Sequence, residues 1–311
     1  MRSHFAVGAI SLRGRCDPSN GVGAGTGETP DCTSSDSRIA PTAQERDRTD
    51  NDRVSVSEIA PTVAQLGERA LIQRISARLA PRPWVVVGPG DDAAVIEPEP
   101  RTLDVLTTDA LVEGIHFDRR FCPPDAIGHK ALAVNLSDLA AMGASPRAAL
   151  LSLVLPGALT VHDVDGLLDG LLALAVRYNV ALIGGNIARS PGPLVVDVTA
   201  IGSVAARRVL TRAGARPGDD VYVTGSIGAG AAGLQAFREE GDLPAAKERY
   251  LRPEPRVRAG LLLGRNRAAS ACMDLSDGLG DGLRQMAEAS GVGIAVETAA
   301  LPIESAVARW Y

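Results

Sequence analysis

This sequence predicts two layered domains of mixed α/β or α+β type, and three observations support that. Its 311 residues can hold two ordinary domains and bury full cores. Hydrophobic residues make up 45% and charged residues 22%, the balance of a soluble globular protein. Runs with strand-like and helix-like apolar periods alternate irregularly, so strands and helices are interleaved rather than segregated.

Taken in order, residues 1–62 are rich in Gly, Ser, Thr, Asp and Pro and lack a sustained apolar period, so they read as a disordered extension. Leu66, Ala70, Leu71, Ile75 and Leu79 then fall at helical spacing and predict a helix from Gln65 to Leu79, ended by Pro81 and Pro83. Trp84 to Val87 and Leu103 to Leu106 read as short strands, with acidic turns at Gly90-Asp91-Asp92 and Thr107-Thr108-Asp109. Pro124 and Asp125 can start a helix that runs through Met142, and Gly143 stops it. Ala148 to Leu155 is an apolar strand closed by Pro156, and Thr160 caps a helix from Val161 to about Tyr178. Val180 to Ile183 and Leu194 to Val204 read as further strands. A turn-rich, charged link at Arg212 to Asp219 places a domain boundary near Ala205 to Arg212, giving domains at 63–207 and 208–311. The second domain shows strand Asp220 to Thr224, a Gly/Ala-rich helix to Glu240 and a helix from Glu254 to Gly264. Strand Ala271 to Met273, helix Asp277 to Ala289 and strand Gly293 to Glu297 complete it.

Several functions are disfavoured at once. Aromatics at 3% and a net charge of −5 argue against a nucleic-acid surface. Cys16, Cys32, Cys122 and Cys272 form no CxxC pair and no zinc spacing, which suits reduced bystanders in a cytoplasmic protein. No apolar run is long enough to span a bilayer, so no membrane partner is expected. The phosphate loop, protein-kinase motifs, GxSxG and HExxH are all absent. Gly228-Ala229-Gly230-Ala231-Ala232-Gly233 satisfies GxGxxG, but no strand with a terminal acid follows it. It reads better as a helix that lets backbones pack closely.

What remains is a set of carboxylates. Asp91, Asp92 and Asp109 stand at strand ends, with Glu113 and His116 just beyond. Like charges held close resist ionisation, and a divalent cation with hard oxygen ligands, magnesium above all, relieves them. Asp138 lies in an otherwise apolar helix, where a buried carboxylate needs a partner such as a shared metal. Asp274 and Asp277 flank Ser276 at a strand-to-helix turn, where Ser276 or Asp277 could cap the helix and its free N–H groups could meet a phosphate. His129 and His162 have no acidic or cysteine partner in register and read as surface or capping residues.

Together GDDAA, TTDALVEGIHF, IGHKALAVNLSDLAAMGASP, TRAGARPGD, YVTG, RYLRPEPR and MDLSDGL resemble the thiamine-monophosphate kinases of the aminoimidazole ribonucleotide synthetase superfamily, from about Gln65 to Pro302. The resemblance implies a two-domain fold, α/β in its N-terminal dimerising domain and α+β in an incomplete C-terminal one. It implies a homodimer and ATP-dependent phosphorylation of thiamine monophosphate to thiamine diphosphate. By motif matching, Asp92, Thr107, Thr108, Asp109, Asp138, Asn186, Asp274 and Asp277 correspond to ligands of several magnesium ions. Gly185, Arg212 and Ser276 correspond to ATP contacts, and His116 to a thiamine-phosphate contact. No residue is assigned as acid or base, because the acceptor phosphate is already ionised near neutrality. Two departures accompany the likeness. The family carries aspartate where this chain has Asn186, so one magnesium is expected to bind more weakly. The family also continues beyond the position of Tyr311, so part of the thiamine pocket is expected to be missing and the activity of this chain weak or absent. A different acceptor, or an inactive nucleotide-binding homologue, stays open on the sequence alone.

Overall fold

Ala9–Leu12 and residues 60–310 are the residues described in the computed structural model, and they lie in one compact unit. In chain order the first elements are β1 (Ala9–Leu12), α1 (Val63–Leu66), α2 (Glu68–Ser76), β2 (Val85–Val87), β3 (Val95–Ile96) and β4 (Leu103–Val112). Then come α3 (Pro124–Ala141), β5 (Ser145–Pro156), α4 (Val161–Arg177), β6 (Ala181–Ser190) and β7 (Val195–Val204). The last part holds β8 (Asp220–Val223), α5 (Ala229–Arg238), α6 (Pro244–Leu251), α7 (Val257–Asn266), β9 (Ala269–Met273), α8 (Leu279–Ser290) and α9 (Ser305–Trp310).

A four-stranded sheet of order β4-β7-β5-β6 organises the first half. Its antiparallel members are β4, β7 and β5, while β6 runs parallel to β5 through the α4 crossover. One face is covered by α3 and α4, whose Leu132, Leu136, Leu139, Leu167, Leu168 and Leu171 are fully buried. A helix apolar nearly all round, like α3, is stable only with neighbours on every side. Glycines let those neighbours come close. A Cβ at Gly128 would stand 1.8 Å from the Leu167 carbonyl oxygen, and one at Gly260 of α7 would stand 1.9 Å from that of Ala140. The opposite face is covered at one end, where Trp84, Val85, Ala94 and Ile96 pack on Ala148, Ala181 and Ile183, and is exposed along the edge strand, where Leu106 is 66% exposed.

A three-stranded antiparallel sheet of order β8-β1-β9 belongs to the second half. The halves share a core. Tyr250 of α6 is buried within the first half's cluster, against the stacked rings of Phe121 and Phe237, whose centroids are 4.7 Å apart.

The structure corrects several expectations. The extension over 1–62 is ordered at Ala9–Leu12, because β8 and β9 present edges that satisfy that strand's backbone on both sides. It is ordered again at Thr62, which forms a capping box with Gln65; the rest of that expectation lies outside the described residues. The helix expected over 65–79 is interrupted at Gly67, whose φ of 81° separates α1 from α2. Thr107-Thr108-Asp109 is no turn: β4 runs straight through it. Where the sequence showed no strand after the Gly/Ala helix, the chain forms the helix α6, started by Pro244. Residues 293–297 pair with no strand among the described residues. The Gly/Ala segment is a closely packed helix as expected, since a Cβ at Gly233 would fall 2.1 Å from the Ala246 carbonyl oxygen of α6.

Candidate active site

Strand period two divides the residues of β4 between the two faces of the sheet. Thr107, Asp109 and Leu111 point toward α3, while Leu106, Thr108 and Ala110 point to the open face.

On the inner face, Thr107 Oγ1 donates to Asp138 Oδ2 of α3 at 2.5 Å. Asp109 sits beside them, pushed up to about 6 first by burial, then by the charges of Asp138 and Asp197. The second half contributes Asp274, just past β9. Burial, followed by Asp138 and Asp109, pushes it up to about 7, and Arg212 partly offsets this. Asp138 is also raised by burial, and it is eased by the Thr107 hydrogen bond and by Arg212. Carboxylates from β4, α3 and the loop after β9 thus lie within electrostatic reach of one another, with Arg212 in reach of Asp138 and Asp274. Arg212 is itself steered from α8, where Gln285 Oε1 accepts from its Nη1 at 2.6 Å.

On the open face, Thr108 Oγ1 lies 3.1 Å from Asp197 Oδ1 and 3.1 Å from Thr199 Oγ1 of β7. Asn186 stands exposed on β6, after the bulge that shifts the register between Ala149 and Leu150. Gly185 before it has no room for a side chain, since a Cβ there would lie 1.8 Å from the Leu151 carbonyl oxygen. Gly184, Gly185 and Asn186 line a cavity of about 320 Å³ together with Ile72 of α2, Gly90 and Asp91. The first acidic turn and the paired glycines therefore border the same hollow. Asp92 is exposed at its edge, its N–H donating to Asp91 Oδ1 at 2.8 Å.

His116 sits in the turn after β4. Its Nδ1 accepts from the Val112 N–H at 3.0 Å, which puts the ring proton on Nε2 in the neutral form. Its carbonyl accepts from Lys130 Nζ at 3.2 Å and from the Tyr250 hydroxyl at 3.3 Å. Lys130 is buried with its ammonium 4.0 Å from the centre of the Tyr250 ring, and burial pulls it down to about 8. Glu113 proves structural, because its Oε2 accepts from the Leu194 N–H at 3.0 Å.

Ser276 and Asp277 do not cap α8. Gly278 is the N-cap residue and no side chain bonds there. Asp277 instead lines a separate cavity of about 690 Å³ with Ser226, Gly228 and Arg249. His129, read as a surface or capping residue, is half-buried and within 3.0 Å of the Pro253 carbonyl oxygen. Asp197, Lys130 and Tyr250 were missed in the sequence. A signal existed for Asp197, because Asp197 and Thr199 recur at period two in a strand otherwise apolar from Val195 to Ile201.

This arrangement can be compared with known proteins. Residues 90–204 match the family AIR synthase related protein, N-terminal domain, and residues 216–309 match AIR synthase related protein, C-terminal domain. The thiamine-monophosphate kinase of Bacillus subtilis (strain 168) is 39% identical over 247 residues, covering 77% of this chain and 76% of that protein. The crystal structure of thiamine-monophosphate kinase from Stenotrophomonas maltophilia K279a superposes with a TM-score of 0.69 at 41% identity, covering 76% of each chain. AaThiL complexed with AMPPCP and TMP superposes with a TM-score of 0.63 at 34% identity, covering 79% of this chain and 77% of that one. Sequence and fold agree: the chain belongs to the thiamine-monophosphate kinase family.

Proposed function

We propose that this chain transfers the γ-phosphoryl group of ATP directly to the phosphate of thiamine monophosphate, giving thiamine diphosphate and ADP. The observation that carries this reading is the convergence of Asp109, Asp138 and Asp274 from both halves of the chain beside Arg212. Such a group holds negative charge under tension, and a substrate that arrives with divalent cations relieves it.

Magnesium fits the donors present, which are carboxylates and hydroxyls, hard oxygens without a thiolate or imidazole among them. Among the described residues, no three His, Cys, Asp or Glu side chains gather closely enough to hold an ion by themselves. That also suits magnesium, which keeps several waters and takes only one or two carboxylates together with substrate phosphates. Asp92, Thr107, Thr108, Asp109, Asp138, Asn186, Asp274 and Asp277 are the residues assigned to hold it. Bound there, magnesium supplies positive charge between two polyanions and lowers the cost of bringing them together.

The chain's own residues then do the positioning that phosphoryl transfer mainly requires. Gly185 lets the nucleotide approach the backbone at the smaller cavity, and Arg212 and Ser276 contact its phosphates. His116, held by Val112 on one side and by Lys130 and Tyr250 on the other, offers Nε2–H toward the acceptor phosphate. No side chain needs to remove a proton, because a phosphate monoester is largely dianionic at neutral pH, its second pKa being about 6.

A homodimer is part of the proposal, supported by the exposed edge strand β4 and by Leu103 and Leu106 on it. The division into domains at 63–207 and 208–311 is supported by the separate sheets of the two halves. Cytoplasmic placement suits the buried free thiols of Cys122 and Cys272, and no helix among the described residues is long and apolar enough to cross a membrane.

Phosphorus NMR of the chain with ATP, magnesium and thiamine monophosphate tests the reaction, run long enough to register slow turnover. Equal growth of ADP and of a new diphosphate ester is expected. Consumption of ATP only with some other phosphorylated acceptor would move the substrate assignment. Failure to bind AMPPCP with magnesium would end the proposal.

A further inference from the structure

We propose that Asp197 is a further magnesium-site residue, supplying on the open face of the sheet a negative charge that Asn186 does not. The inference rests on the magnesium reading above and adds to it a residue that the sequence motifs do not contain.

The sheet's register carries the argument. Ala110 of β4 is paired with Asp197 of β7, Asp197 with Ser152 of β5, and Ser152 with Asn186 of β6. Residues directly opposite one another in a ladder point to the same face. Asp197, Ser152 and Asn186 therefore form one row across the open face, its ends two strand spacings or roughly 10 Å apart. Between them stands only the short hydroxyl side chain of Ser152, so the space above the row is not filled from within it. Thr108 approaches the row from β4, its hydroxyl 3.1 Å from Asp197 Oδ1.

The setting of Asp197 is unusual for a structural carboxylate. It lies on a central strand, half-buried, where aspartate is ordinarily depleted. It makes no salt bridge among the described residues, and its hydrogen-bond partner there is the neutral Thr108 hydroxyl. Nothing within its own packing accounts for a charge at that position. A cation held beside the row through its own waters would account for it, with Asp197 supplying the one negative charge among the neutral groups of Thr108, Ser152 and Asn186. Magnesium keeps several of its own waters, which spans the breadth of such a row without all-protein ligation.

Manganese alone, counted by electron paramagnetic resonance of the free ion, is the probe for the test, with circular dichroism melts to establish folding. Loss of this carboxylate, in Asp197→Asn, is expected to weaken the tightest manganese binding roughly 10- to 100-fold, the range found when an orienting group beside a metal is removed. Asp197→Glu, which keeps the charge, is expected to retain most of the affinity. Returning a charge to the far end of the row, in Asn186→Asp with Asp197→Asn, is expected to recover much of what the single variant loses. Manganese binding by Asp197→Asn within about twofold of the parent chain, alongside loss of binding in Asp109→Asn, would leave the metal site standing and overturn the role of Asp197. A parent chain that takes up no manganese, with or without AMPPCP, would overturn the magnesium reading and this inference together. If Asp197→Asn does not fold, Asp197→Ser at the same half-buried position makes the same comparison.

Discussion

The two faces of β4 hold polar residues under opposite conditions. Thr107 and Asp109 face inward, where burial and neighbouring carboxylates push Asp109 up to about 6. Thr108, one residue between them, faces outward and meets a carboxylate by an ordinary hydrogen bond to Asp197 at 3.1 Å. Three consecutive residues thus border a half-buried carboxylate cluster on one side and a polar row on the other. A strand does this without any turn, because its side chains alternate. The lesson is that the polar cluster wraps around an edge strand rather than sitting at a strand's end. Charge is costly on the inner side, where burial raises Asp109 and Asp138.

Activity breaks the comparison most sharply. Asp274→Asn or Asp109→Asn removes charge where it is least hydrated and where the metal's charge is worth most. Either substitution is expected to lower kcat/KM by roughly a thousandfold, about 4 kcal/mol, in a coupled ADP-release assay. Thr108→Val, on the other side of the strand, is expected to lose far less. Equal losses at Thr108 and Asp109 would mean that the two faces serve one undivided site.

Stability sharpens the same comparison. Leu111 continues the inner face and is fully buried, whereas Leu106 is 66% exposed on the outer one. Leu111→Ala is expected to cost about 2–5 kcal/mol in urea unfolding, the range for truncating a buried leucine. Leu106→Ala is expected to fall within about 0.5 kcal/mol of the parent in dilute solution, and to weaken self-association where it has any effect. A large loss at Leu106 under dilute conditions would show that the outer face is covered within a single chain.

Much of this was legible in the sequence because the signals are local. The helix from Pro124 and the strand Leu194 to Val204 announced themselves by period and by Pro or Gly stops, and the structure places them within a residue or two. Asp138 was legible because a carboxylate stands out in an apolar helix, and its contact with Thr107 explains it. Thr107-Thr108-Asp109 misled because a strand that serves a site on both faces is polar at every position, and polarity reads as a turn. Ala9–Leu12 was illegible for a different reason. Its partners β8 and β9 lie more than two hundred residues away, and four residues carry no period of their own. Asp197 stood out locally in an apolar strand, but its place in a row with Ser152 and Asn186 needed the register of three strands, which no local pattern supplies.

The smallest expected effect concerns pH. Asp109 and Asp274 are raised in the folded chain, to about 6 and about 7, from an ordinary value of 3.8. The folded state therefore holds protons that the unfolded chain has released, and by linkage these groups contribute stability that is fully present below about pH 4. That contribution is lost as pH rises through 6 and 7, the reverse of the usual salt-bridged carboxylate. In the metal-free chain, the melting temperature is expected to fall by a few degrees, about 3–8 °C, between pH 5 and pH 8. Asp274→Asn is expected to flatten this slope and to melt above the parent at pH 8, although it abolishes activity. Magnesium is expected to flatten it too, and to bind more tightly as pH rises, since it competes with the same protons. A metal-free melting temperature that rises steadily from pH 5 to pH 8 in the parent but not in Asp274→Asn would show that the inner carboxylates are satisfied by the protein itself.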